Sequence, residues 1–279
     1  MKFQTFINIY YNHRLEKSNF LKKIYIYLIL PFTYLLEKTN IQKIINLDII
    51  KLEKKKLFKK NLSYLFEYFN CDKGNIYQNH YARYSKKNNS KIKGHNYHHF
   101  YEKYFKSIRE KKLNILELGT FKGNSTASFF FYFKNSFFFA CDLYPDLFRY
   151  ESTRIKKLLI NSGSREDLKI LQKKKFDIII EDASHYHKDQ ILSLFILFKS
   201  LKKGGLFVIE ELDFPDTRHD MNLKGDKNTL YNILKLVKNK RKFYSEFILD
   251  SEKDYFLKNF KKINIFKGRF NKIAFIKKK

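Results

Sequence analysis

Three apolar runs in this chain each break off into a polar turn at the same end, and no other feature restricts its fold as much. ILELGTFKGNS (115–125) and FDIIIEDASH (176–185) each read as a buried strand that ends in a tight turn rich in glycine or acid and opens into a helix. GGLFVIEEL (204–212) reads as a third strand closing on Glu210 and Glu211. Apolar strands alternating with helical stretches imply a mostly parallel sheet covered on both faces. In such a sheet the ligand sits at the carboxyl ends of the strands, where strand order reverses. Functional groups at that edge describe a crevice, and the chain reads as an enzyme.

The alternation begins at 113. The pattern predicts strand 113–118, a helix from about 124, and strand 136–141 ended by Asp142. A short strand at LLINSGS, a helix at REDLKILQKK, strand 176–181 and helix 188–201 follow. Strand 205–210, helix 228–240 and a hairpin in KKINIFKGRFNKIAFIKK around Gly268 close the domain. Residues 1–70 are aromatic and basic and read as a helical extension, broken near Pro31 and near Asn40. Residues 71–112 read as a polar loop (71–95) followed by a helix that carries Tyr97, Phe100, Tyr101, Tyr104 and Phe105 at helical spacing. The expected organisation is therefore an extension (1–70), a loop and helix covering the active site (71–112) and an α/β domain (113–279).

Lys and Arg outnumber Asp and Glu by 57 to 28, a net charge of +29. A polyanion site would concentrate that charge, but here the lysines are scattered in pairs and triplets beside abundant Asn, Ile, Phe and Tyr. Compositional bias accounts for this, and nucleic acid is not the expected partner. Cys71 and Cys141 lie far apart in unlike contexts, and Cys141 ends an apolar strand, which fits a core thiol in a reducing cytoplasm. IYIYLILPFTYLLE (24–37), between Lys22–Lys23 and Lys38, is too short to span a bilayer. It reads as a packed helix, with a Lys-flanked peripheral membrane contact as the alternative.

In ILELGTFKGNS, Gly119 lets the chain turn sharply, Gly123 allows close approach, and Glu117 lies near the strand end. Asp142, ending the next strand, is placed to accept both hydroxyls of a ribose. The spacing E-x-G-x-x-x-G, here Glu117, Gly119 and Gly123, resembles the first motif of class I S-adenosylmethionine-dependent methyltransferases. The resemblance implies a Rossmann-like methyltransferase fold with a mostly parallel seven-stranded sheet and a C-terminal β-hairpin. It also implies S-adenosylmethionine as cofactor, bound by Glu117, Gly119, Thr120, Gly123, Asn124 and Asp182, with Gly119 and its neighbours at the methionine part and Asp142 on the ribose.

Asp182, Glu210 and Glu211 end what should be adjacent strands, and three neighbouring carboxylates repel unless protonated or bridged by a cation. Hard oxygen donors with room for water and substrate suit Mg²⁺, which could align and acidify an acceptor hydroxyl. His185, three residues past Asp182, could take the proton. The plain alternative makes Asp182 or Ser184 a helix cap and Glu211 a surface charge. D-x-x-H after one strand and I-E-[DE] after the next are similar to the metal-dependent sugar O-methyltransferases of the macrocin and mycinamicin type, and to the cephalosporin hydroxylase-like group. That resemblance implies Asp182, Glu210 and Glu211 as metal ligands, His185 as general base and a saccharide acceptor. DKG (72–74) and H-x-Y-x-x-x-Y-E (95–102) extend it upstream, where His95, Tyr97 and Tyr101 would help close the pocket. NSGSRED departs from the family's run near the adenine, leaving Glu166 or Asp167 as substitutes for the expected acid. A metal-free methyltransferase acting on RNA, and a non-catalytic membrane-associated protein on the same fold, are the rival readings.

Overall fold

A computed structural model describes residues 1–39, 44–78 and 90–279. Seven strands form the central sheet: β1 (Asn114–Leu118), β2 (Phe137–Asp142), β3 (Ile155–Leu159), β4 (Phe176–Glu181), β5 (Leu201–Ile209), β6 (Phe260–Lys267) and β7 (Lys272–Lys278). Their spatial order is 3-2-1-4-5-7-6. All neighbouring pairs are parallel except those made by β7, which runs antiparallel to both β5 and β6. Strand order reverses between β1 and β4, so the crevice opens where Leu118 pairs with Glu181.

Among the helices that precede the sheet are α1 (Phe3–Tyr10), α2 (Phe20–Thr39), α3 (Leu62–Tyr68) and α4 (His98–Phe105). Within and after it run α5 (Asn124–Tyr132), α6 (Arg165–Leu171), α7 (His187–Leu197), α8 (Leu230–Lys238) and α9 (Asp250–Asn259). Strand side chains alternate between the two faces. Leu116 and Leu118 join α6, α7, α8 and α9 in one core. Ile115 joins α3, α4 and α5 in the other, around Phe66, Tyr101, Phe105 and Phe129. α1 and α2 have a small core of their own, built on Phe6, Tyr10, Tyr11, Leu15, Ile26 and Leu30. They attach to the main domain through Thr5, whose hydroxyl donates to Asp146 (3.1 Å), and Asn8, which donates to the Tyr144 hydroxyl (3.1 Å).

The structure departs from the expected elements in four places. Pro31 does not end a helix but lies inside α2, where the Thr33 hydroxyl donates to the carbonyls of Ile29 (3.1 Å) and Leu30 (3.0 Å). The strand expected at LLINSGS lies earlier, as β3, because exposed Lys156 and Lys157 on this edge strand hide its period. α9 carries no apolar stripe in its sequence, yet it buries Phe256, and Glu252 accepts from the Leu249 amide (3.0 Å) at its start. The loop expected over 71–95 contains a short antiparallel pair, Ile76–Gln78 with Lys91–Lys93, while 79–89 lie outside the described residues. Cys71 and Cys141 are both free and buried, and among the described residues no helix is long and apolar enough to cross a membrane.

Candidate active site

A cavity of about 730 Å³ opens over the carboxyl ends of β1, β2, β4 and β5. Its first wall is the turn after β1. Gly119 (φ +80°) sits where only a residue without a side chain fits: a Cβ there would lie 2.0 Å from the Asp182 carbonyl oxygen. Gly123 (φ +86°) enters α5 against the Phe148 ring, 2.7 Å from where its own Cβ would stand. The turn is braced from two sides. Asp142 accepts from the Phe121 amide (2.7 Å) and the Tyr144 amide (2.8 Å). Glu117 points away from the crevice and accepts from the hydroxyls of Ser125 and Thr126 at the start of α5, the latter at 2.5 Å. Burial raises the carboxyls of both Glu117 and Asp142, and their donors only partly offset this. Gly119, Thr120, Asn124 and Asp142 line the cavity; Glu117 and Gly123 are not among its lining residues.

The opposite wall is made of charge. Asp182 and Glu210, ending β4 and β5, both face the buried ammonium of Lys73, which pairs with Asp182 and lies 2.8 Å from Glu210. The Tyr101 hydroxyl donates to the same Glu210 carboxylate. Glu211 turns the other way, to His185 (2.6 Å) and His95 (3.1 Å), while His185 Nε2 stands 3.8 Å from Asp182. His185 (φ +58°) and Glu211 (φ +47°) both hold left-handed backbone, a strained geometry that concentrates at functional sites. The Phe214 ring lies edge-on to His185, and Arg218 and Met221 continue the wall.

These contacts set the protonation states. Burial disfavours a charged imidazole, but the Glu211 carboxylate, with Asp182 and Glu181 behind it, outweighs this and carries His185 up to about 9. Burial raises Glu211 too, but charged His185 wins and its carboxyl falls below the usual range. Burial likewise opposes a charge on Lys73, and Asp182 and Glu210 overcome it. Glu210 rises, through burial and then Asp182. Lys73 and His185 therefore stand as cations, one beside Asp182 and Glu210, whose carboxyls burial raises, and the other beside Glu211, whose carboxyl its charge lowers.

The ligand atoms of Asp182, His185 and Glu211 all lie within 4.8 Å of one another. The Asp182 and Glu211 carboxylates on this cavity wall are hard oxygen donors that fit Mg²⁺ with positions left open for a substrate oxygen, and they leave the His185 imidazole beside the ion rather than on it. Glu210, expected beside Asp182 and Glu211, is instead drawn back to Lys73 and Tyr101. Lys73 has no role in the sequence reading beyond the DKG resemblance. Tyr97 stacks on His95 (centroids 5.2 Å apart), and Asn161, Ser162 and Asp189 complete the far end of the cavity. Neither Glu166 nor Asp167 lines it: Asp167 accepts from the Asn161 amide (2.8 Å).

No family model matches the chain. Over 127 residues it is 26% identical to 8-demethyl-8-alpha-L-rhamnosyl tetracenomycin-C 2'-O-methyltransferase of Streptomyces olivaceus, covering 42% of this chain and 33% of that protein. Over 124 residues it is 31% identical to the 3'-O-methyltransferase that acts on the 2-methoxy-rhamnosyl form in the same organism, covering 40% and 31%. The chain thus spans about a third of the length of these relatives. Among solved structures it superposes on the MycE methyltransferase from the mycinamycin pathway, in complex with Mg, SAH and mycinamycin VI, with a TM-score of 0.59 and 18% identity. That match covers 78% of this chain and 54% of the other.

Proposed function

We propose that this chain, which has the Rossmann-like methyltransferase fold and resembles the sugar O-methyltransferases, moves a methyl group from S-adenosylmethionine to a hydroxyl of a saccharide-bearing small molecule. The observation that carries the reading is the meeting of two devices at one strand edge. A glycine turn with Asp142 faces a cluster in which Asp182, His185 and Glu211 converge. Thr120, Asn124 and Asp142 line the cavity, where the first two would hold the methionine part of the cofactor and Asp142 its ribose hydroxyls. A divalent ion such as Mg²⁺, held by Asp182 and Glu211 with Glu210 behind them, would supply Lewis acidity to the acceptor hydroxyl.

The chain's own residues do the rest. Phe214, Arg218 and Met221 shape the acceptor side of the cavity. His185 is charged because Glu211 and Asp182 face it, and a cation shared by those two carboxylates would free its Nε2 to receive a proton. S-adenosylmethionine would supply the methyl group, leaving as S-adenosylhomocysteine, and His185 would take the proton of the acceptor hydroxyl.

Calorimetry with S-adenosylmethionine, followed by labelled-methyl transfer to a panel of glycosides with Mg²⁺ and with EDTA, tests the reading. Cofactor binding and EDTA-sensitive transfer are expected. A chain that binds no S-adenosylmethionine, or transfer indifferent to EDTA, overturns it.

A further inference from the structure

The two faces of α2 are unlike. Ile26 and Leu30 enter the small core shared with α1, and Glu37 is fully buried. On the opposite side Leu21, Ile24, Tyr25, Leu28, Phe32 and Leu35 are exposed, Leu28 to 67% and Phe32 to 71%. At the helical spacing of about 100° per residue these six share an arc of roughly 100°, with no charged side chain among them. The stripe runs about 21 Å along the helix, from Leu21 to Leu35. Six large side chains so exposed reach or exceed the roughly 300–600 Å² of the largest apolar patch on a typical monomer.

Charge surrounds the stripe without entering it. Lys17, Lys22 and Lys23 flank one end and Lys38 the other, and the one acid between residues 17 and 38 is the buried Glu37. The buried side of the same helices meets the cavity wall: Asn8 of α1 donates to the hydroxyl of Tyr144, a lining residue, and the buried Glu37 of α2 acts on Lys122 there.

We infer that α2 lies in the interfacial plane of an anionic bilayer, its stripe among the acyl chains and its lysines at the headgroups. A second copy is the poorer occupant, because it would bring a chain of net charge +29 against itself, lysine end to lysine end. An anionic headgroup layer supplies the opposite charge, and the helix, 20 residues long but charged near both ends, is not apolar enough to cross. The docking does not rest on the methyltransferase reading.

The test is co-sedimentation of the full chain with phosphatidylcholine vesicles, alone or with roughly 30% phosphatidylglycerol, for the wild type and Leu28→Glu/Phe32→Glu. Both substituted side chains are exposed, so the variant keeps its fold, and unchanged S-adenosylmethionine binding serves as the control. The wild type is expected on anionic vesicles only, with the variant weaker by about tenfold or more. The chain has no tryptophan, so Tyr25→Trp adds a single reporter whose emission should shift to the blue on those vesicles. Vesicle binding that persists in the double variant would reduce the effect to scattered lysines and overturn the docking. So would a dimer in sedimentation velocity that the variant splits, since the stripe would then belong to a second copy. Loss of cofactor binding in the wild type would instead strike the methyltransferase reading, leaving vesicle binding to be judged separately.

Discussion

At the β1–β2 end of the crevice the chain presents mostly backbone, shaped by residues 117–148; at the β4–β5 end it presents side chains drawn from positions as distant as 73 and 211. The first end is a turn whose geometry two glycines permit and two carboxylates brace. The second is a balance of three carboxylates against Lys73 and His185, and any member removed leaves another exposed to an uncompensated charge. The first therefore resists change through packing, the second through electrostatics, and substitutions should separate the two.

The largest effect is expected at Lys73. Lys73→Met leaves Asp182 and Glu210 buried without their cation, at a cost of about 3–5 kcal/mol in unfolding free energy. Lys73→Met/Glu210→Gln should recover part of that loss, because it removes one of the stranded carboxylates. Chemical denaturation of the two variants decides the matter, and a single-variant loss below about 1 kcal/mol would mean that the ammonium does not hold this wall together.

His185→Gln comes next and acts on turnover rather than folding. Removing the proton acceptor should lower methyl transfer by about 10²–10⁴-fold. S-adenosylmethionine affinity should stay within about twofold, since the imidazole faces Glu211 and not the glycine turn. Equal losses in turnover and cofactor affinity would show that the two ends are not separable.

That difference in construction also governs how much could be read from the sequence. The strand–turn–helix runs and Asp142 are local, so their spacing alone located the crevice, the sheet and the closing hairpin. Lys73 and Tyr101 each meet their carboxylates 109 residues away, and no periodicity records such a pairing. Their only trace was the DKG and H-x-Y-x-x-x-Y-E segments, which carried a resemblance without a role. The carboxylates were correctly anticipated as neighbours, but which of them a lysine would occupy depends on side-chain directions set by the whole fold. Pro31 was misread and α9 went unread because packing overrode the local signals: the helix continues through the proline while Ile26 and Leu30 enter the small core, and a buried Phe256 anchors a helix that its polar sequence hides.

Gly119→Ala probes the point where the two ends touch. Its new Cβ would fall 2.0 Å from the Asp182 carbonyl and 2.4 Å from the Ala183 Cα, and backbone cannot swing aside as a ring can. With left-handed backbone added, a loss of about 2–3 kcal/mol is expected, together with weakened cofactor binding. Gly123→Ala meets only the Phe148 ring and should cost less in the same thermal melts. The reverse order would place the tighter junction at the start of α5.

Glu117→Gln should have the smallest effect and bears most directly on the contrast. Glu117 touches the Ser125 and Thr126 hydroxyls and does not line the cavity, so its carboxyl braces the turn from behind. Burial already pushes that carboxyl upward, and an amide imitates its protonated form. Glutamine can accept from one hydroxyl, but the other must rotate to accept from the new NH₂, a loss of about 1 kcal/mol. The melting temperature should fall by a few degrees, roughly 2–4 °C for a domain of this size, with cofactor affinity within about twofold. A tenfold loss of affinity at unchanged stability would put Glu117 in contact with the cofactor, and the first end of the crevice would then depend on side-chain charge much as the second does.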